Sequence, residues 1–334
     1  MKFKFLAVAA ALSLGVSAQA AQVSFAFNYT DAAGTGFLDA TYGAQRQAAL
    51  GAAAAYWSST LKTSVDRTFN VNVLFNSAAT SLTPLASTSR TYQTVGDYQY
   101  ASSLAEYLGS AGNGSAADFT LTFSSSTGNA SNGNFNMVTG SYLGLDRNPG
   151  ADQFDFQTVA QRGIARGLGF DSRIDTNTTN AITDGVFVGD ASGISRAGIY
   201  DSFLVQKQGS TFISLLGMSN ANRFAALSSG ELYWNGAYAT AANGGSYVKL
   251  SASQPSATNG SVNGNNVIYT DASQIGLMTV QYPPKGQAMD ADPVTLGMLQ
   301  DMGWQIAAVP EPATYAMLLA GLGMIGFAAR SRRA

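Results

Sequence analysis

Arg162-Gly163-Ile164-Ala165-Arg166 stands inside a longer run, Phe156 to Phe170, whose spacing is that of a helix built to hold a metal. In the pattern H-E-x-x-H two histidines one helical turn apart bind zinc from the same face. The glutamate beside the first takes a proton from the metal-bound water. Here the histidine positions are Arg162 and Arg166, and the glutamate position is Gly163. A guanidinium has no lone pair to donate and stays charged, so the two arginines repel Zn²⁺ rather than bind it. Glycine offers no base. The rest of the chain holds no substitute, because its 334 residues include neither histidine nor cysteine. That argues against zinc, removes disulfides, and rules out a Ser-His-Asp hydrolase. Any metal would rest on Asp and Glu, an oxygen set suited to calcium or magnesium.

The remaining polar clusters point less sharply. Asp171, Asp175, Asp184 and Asp190 crowd the loop after the run, with Asn177, Asn180 and several glycines, and are the candidate calcium ligands. Their spacing is not that of an EF-hand, and solvated loop carboxylates are the alternative. Arg162 and Arg166 can replace the lost metal charge, pairing with Asp171 or Asp175 or binding a carboxylate or sulfated glycan. The alternative is that both lie on a solvated or locally paired face. Ser59-x-x-Lys62 and Ser246-x-x-Lys249 have a Ser-Lys spacing but lack the Ser-Asp-Asn and Lys-Thr-Gly elements that accompany it in acylating enzymes, so both read as chance.

The elements that must position these residues follow from periodicity. Gln22–Tyr29, Phe69–Phe75 and Asp118–Ser124 alternate apolar and polar residues and read as strands. Tyr42–Leu61 is an amphipathic helix with Leu50, Ala54, Trp57 and Leu61 on one face. Residues 76–96 read as an irregular excursion or a hairpin, Tyr98–Leu108 as a short helix, 125–134 as a Ser/Gly/Asn loop and Met137–Leu145 as an edge strand. The central helix spans about Gln153 to Leu168, with Asp152 or Asp155 as its cap and Gly169 as its end. Ala160, Ile164 and Leu168 form its core stripe, and the arginines lie on an adjacent face. Two like charges at this spacing and a mid-helix glycine each weaken an isolated helix, by about 0.2–0.5 and 1 kcal/mol. Local helix physics gives no reason for Arg-Gly-x-x-Arg. Asp290 and Asp292, before Pro293, read as caps of a last helix. The class is α+β, one mixed sheet packed on helices.

Both ends carry addresses. Lys2 and Lys4, the apolar run Phe5–Val16 and Ala18-Gln-Ala20 form a secretory signal peptide, residues 1–20, cleaved after Ala20 by signal peptidase. At the other end Pro310-Glu311-Pro312 precedes an apolar segment, 314–329, and then Arg330, Arg332 and Arg333. Residues 309–334 resemble the PEP-CTERM sorting signal. The resemblance implies a Gram-negative bacterium, transient anchoring in the inner membrane, cleavage near Pro310 by an exosortase-type enzyme, and release to the cell surface or extracellular matrix. A plain tail anchor is the alternative. Removing both ends takes five of the 18 basic groups and one of the 20 acidic ones, leaving a body near −6. That balance gives no broad attraction to nucleic acid.

The body, 21–308, also carries a chain of short motifs in order. They are Tyr42–Leu50 through Trp57, Thr158-Val-Ala160, Leu168-Gly-Phe-Asp-Ser172, Ile199–Leu204, Met218–Trp234, Gly276-Leu-Met278 and Leu296–Trp304. Together they resemble a family of secreted bacterial zinc metalloproteases with a metzincin-like fold, over most of residues 22–305. A later histidine of that family, in a Ser-His-Trp/Phe-Asp element, aligns with Ile268-Tyr269-Thr270-Asp271, which places Tyr269 at a third ligand position. The resemblance implies a metzincin-like domain with a long irregular C-terminal part. It also implies a site emptied at Arg162, Gly163, Arg166 and Tyr269. The function expected is a non-catalytic surface or matrix module with a glycan or peptide ligand and no cofactor beyond the candidate calcium. An active metallohydrolase with carboxylate ligands and a purely structural, exopolysaccharide-associated protein are the alternatives.

Overall fold

The computed structural model describes residues 21–76, 86–112, 116–124, 140–175, 185–252, 267–274, 276–279 and 284–307. The signal peptide, the 125–134 loop, Asp184 and the sorting segment with its apolar stretch 314–329 lie outside these residues. Among the described residues no helix is long and apolar enough to cross a membrane.

In chain order the first half contains β1 (Val23–Tyr29), α1 (Gly43–Thr60), β2 (Leu61–Lys62), β3 (Arg67–Asn76), β4 (Ala86–Arg90), β5 (Tyr92–Val95), β6 (Tyr98–Ala101), α2 (Ser102–Tyr107) and β7 (Phe119–Ser124). Then come β8 (Ser141–Tyr142), β9 (Phe154–Asp155) and the central helix α3 (Phe156–Gly167). The second half adds β10 (Leu204–Gln208), β11 (Thr211–Ser214), α4 (Asn220–Ala226), β12 (Leu232–Trp234), α5 (Ala237–Ala242), β13 (Val248–Lys249), α6 (Pro293–Met302) and β14 (Gln305–Ile306).

The three alternating stretches become the main sheet, in the order β1-β3-β7-β4. β1, β3 and β7 run parallel, and β4 closes the edge antiparallel to β7, with Thr88 opposite Leu121. The side chains that alternate inward, Val23, Phe69, Val71, Val73, Phe119, Leu121 and Phe123, are buried. Each large one contributes about 1.5–3 kcal/mol by leaving water. They meet α1 through Leu50, Ala53, Ala54 and Trp57, and α3 through Ala160, Ile164 and Leu168, all buried. A second sheet, β11-β10-β12-β13, forms from the later strands. The class is α+β, as expected.

Several boundaries differ from the sequence reading. Tyr98–Ala101 is a strand that pairs antiparallel with β5, and the helix starts only at Ser102. The excursion 76–96 contains β4 and β5, which pair with β7 and β6 rather than with each other. Of the expected edge strand, residues 137–139 lie outside the described residues; within the rest Ser141–Tyr142 is a strand, and it pairs with β9 instead of the main sheet. Short polar strands lack an apolar alternation to announce them, so only their partners reveal them.

Candidate functional site

α3 is buried along its whole length. Asp155 caps its start, the carboxylate accepting from the Thr158 amide at 2.9 Å. Gly169 ends it at φ +121°, a left-handed conformation that glycine adopts without steric cost. The last carbonyls of a helix have no partner within it. Here Ser103 and Trp304 supply Gly167 and Leu168, and side chains of neighbouring elements add a further bond to the mid-helix carbonyls of Gln161 and Gly163. Trp57 Nε1 donates to Gln161 O at 3.0 Å, Thr88 Oγ1 to Gly163 O at 2.9 Å and Ser103 Oγ to Gly167 O at 2.7 Å. Trp304 Nε1 donates to Leu168 O at 2.9 Å. The two tryptophans tie α1 and the segment after α6 to the helix that carries the site.

The two pairs of residues at four-residue spacing face different surroundings. A Cβ on Gly163 would stand 3.2 Å from Leu121 Cδ2, and one on Gly167 would stand 2.7 Å from the Phe119 ring. Gly163 therefore has a tertiary reason that helix propensity alone does not reveal: it lets the helix backbone lie close against β7 and β4. Arg162 and Arg166 sit on another face, each only 7% exposed. This corrects the solvated-face alternative. The Arg162 guanidinium lies 4.3 Å from the Tyr269 ring centroid and that of Arg166 lies 6.0 Å from it. Arg162 Nη1 also donates to Leu277 O at 3.2 Å. The three side chains singled out from sequence, 107 residues apart at their widest, thus share one ring.

The carboxylates are committed elsewhere. Asp171 is ion-paired to Arg90, and burial pushes its carboxyl up while Arg90 and Arg173 oppose that. Asp190 accepts from Ser192, Ile194 and Thr94 and pairs with Arg196 at 2.9 Å. The Ser192 hydroxyl and the Arg196 guanidinium hold it well below the usual carboxylate range. Among the described residues no group of three or more Asp, Glu, His or Cys side chains is placed to hold a metal ion. Asp292 does cap α6, accepting from the Thr295 amide at 3.0 Å. Asp290 does not. It binds Arg147 at 2.9 Å and Gln161 Nε2 at 3.0 Å, because Arg147 bridges it to Asp155 at the start of α3.

Sequence reading missed Arg90, Arg147 and Arg173. With charged residues at 11% of the chain, each body arginine deserves a search for its counter-ion, and that search is the signal that finds them. Buried Asp201 was missed as well. Burial raises its carboxyl to about 6 despite hydrogen bonds from the Ser172 hydroxyl and the amides of Arg173 and Gly198.

Residues 308–333 match the PEP-CTERM protein-sorting motif. This is an exported, exosortase-sorted protein. The match covers the tail alone. No curated protein and no solved structure matches the chain. The sorted protein reaches the cell surface, so the α3 site faces the chemistry of the exterior rather than that of the cytoplasm.

Proposed function

We propose that the exported body is a non-catalytic binding module, built on a protease-like scaffold whose zinc site has lost its ligands. The observation that supports this reading is the meeting of Arg162, Arg166 and Tyr269 around one ring. The resemblance placed Tyr269 at a third ligand position from register alone. Chance would seldom bring a residue so chosen beneath the two arginines. Each guanidinium is attracted to the face of the ring, so the positive charge that a metal would supply is kept by side chains. At Arg162, Gly163 and Arg166 no lone pair and no base remain for hydrolysis. The ligand class is a surface glycan or peptide. The alternative of a hydrolase with carboxylate ligands is less well supported, since Asp171 and Asp190 are already bound to arginines.

The test is a reversal. Arg162→His, Gly163→Glu, Arg166→His and Tyr269→His are combined in the exported protein, and zinc is measured by mass spectrometry. The reading expects about one zinc per chain in the fourfold variant and none in the parent, as three imidazoles and a base restore the pattern. Stoichiometric zinc with casein cleavage in the parent overturns it. Failure of a folded fourfold variant to take up zinc overturns the vestigial site.

A further inference from the structure

A second concavity lies on the face formed by the β5–β6 hairpin and the 189–192 loop. It encloses about 610 Å³, within the range of small-molecule sites. Tyr92, Gln93 and Thr94 form one wall, Asp190 and Ser192 the other, and Arg173 also lines it. It shares no residue with the Arg162, Arg166 and Tyr269 cluster.

The cavity's walls hold donors that the protein does not use. Nε of Arg173 and Nε2 of Gln93 are buried and have no hydrogen-bond partner. Leaving such a group unpaired costs about 1–3 kcal/mol, more when it is charged. Arg173 is held in place all the same. Its guanidinium lies 4.0 Å from the Tyr92 ring centroid, its stem packs on the Cα of Gly198, and its own amide is fixed by Asp201 at 2.9 Å. Among the described residues no carboxylate comes within ion-pairing distance of that guanidinium. The three acidic groups nearby have other partners: Asp171 has Arg90, Asp190 has Arg196, and Asp201 has Ser172 with two amides. Burial lowers the pKa of Arg173, and the Asp171 and Asp201 charges oppose that only in part. The remaining wall groups, the Thr94 and Ser192 hydroxyls and the Gln93 amide, bind hydroxyls as readily as they bind water.

We propose that this cavity is a binding site for a hydroxylated carboxylate, with Arg173 and Gln93 taking the carboxylate and Thr94 and Ser192 the hydroxyls. A carboxylate offers a guanidinium two acceptors in matching geometry. For a protein sorted to the cell surface the ligand has two sources. One is a free hydroxy acid in the medium, and the other is the uronic-acid unit of a surface polysaccharide.

The purified exported protein is titrated calorimetrically with galacturonate, with oligogalacturonate and with neutral oligogalactose. Both acidic probes are expected to bind at least about tenfold more tightly than the neutral one, about 1.4 kcal/mol. Tighter binding of the oligomer assigns the polysaccharide, and equal binding assigns the free acid. Arg173→Gln is expected to weaken the acidic probes at least about tenfold. Gln93→Glu, at the half-buried wall of the hairpin, sets a negative charge against the ligand and is expected to do the same with an unchanged melting temperature. Two results overturn the site: no acidic probe binds the parent, or binding survives both variants. Neither result touches the zinc-reversal test, which involves different residues.

Discussion

The two faces of α3 carry the same spacing and opposite chemistry. Gly163 and Gly167 are four apart and bring the helix down onto Leu121 and Phe119 of the main sheet. Arg162 and Arg166, also four apart and one residue earlier, hold their charges against Tyr269. The glycine face has an evident structural purpose, since a close approach between helix and sheet admits no larger side chain there. The arginine face has none of that economy. A buried cation loses its hydration, and apolar residues of similar volume are often neutral or better in its place. What stability explains on one face it leaves unexplained on the other, which is the argument for a binding role on the arginine side.

One substitution made twice gives the largest contrast. Gly167→Ala places a methyl 2.7 Å from three atoms of the buried Phe119 ring. Overpacking of this kind costs about 1–3 kcal/mol, less up to about 1 kcal/mol recovered from helix propensity. Gly163→Ala meets only the flexible end of Leu121 at 3.2 Å. There the propensity gain of about 1 kcal/mol has little to oppose it, so the variant is expected to be neutral or stabilised. Urea unfolding of the two variants measures the difference. Equal effects would mean that the two glycines are not set against the sheet as described.

What sequence made legible follows the range of the forces involved. β1, β3 and β7 were readable because alternation is local, and so were the Ala160, Ile164 and Leu168 stripe, the Asp155 and Asp292 caps and the Gly169 stop. β6 and β9 were not, since so few residues carry little period, and β8 lies within the expected edge strand although its pairing with β9 was not foreseen. Arg162 and Arg166 were singled out by pattern and Tyr269 by the register of the resemblance, but their burial was not foreseen. Whether an arginine is solvated depends on what folds over it, and Tyr269 and Leu277 arrive from more than 100 residues away. Gly167 was passed over because a glycine next to a helix end looks like part of the stop signal.

A double-mutant cycle sharpens the arginine side. Arg162→Met and Tyr269→Leu remove the two partners singly and together. The coupling expected at 4.3 Å in a buried setting is about 1–2 kcal/mol. The same cycle with Arg166→Met, at 6.0 Å, is expected to give less. Arg162→Met alone is expected to lose about that coupling of 1–2 kcal/mol while abolishing any ligand held by that face. A large loss of stability with intact ligand binding would move the arginines into the same structural category as the glycines and end the contrast.

The smallest effect is a pH dependence that separates the faces. Arginine stays charged throughout the accessible range, so the two arginines bring no change of charge to their face. The glycine face rests on β7, and Asp118 stands directly before Phe119. Burial raises its carboxyl to about 7, with Glu106 beside it adding to the rise and the Asn70 amide opposing it at 2.8 Å. The folded state therefore keeps a proton that the unfolded chain releases near pH 4. Stability is highest at the bottom of this window and falls as pH rises toward 7, where the folded carboxyl ionises in turn. Asp201, raised to about 6, adds a contribution of the same sign that ends one unit lower. Asp118→Asn cannot ionise and keeps an acceptor for Asn70. It is expected to flatten the profile between pH 5 and 8 by about 1 kcal/mol. Thermal melting at those two values measures it. The Arg162–Tyr269 coupling energy, measured at the same two values, should not change. A coupling that fell with rising pH would tie the arginine face to a titrating group and break the separation between the faces.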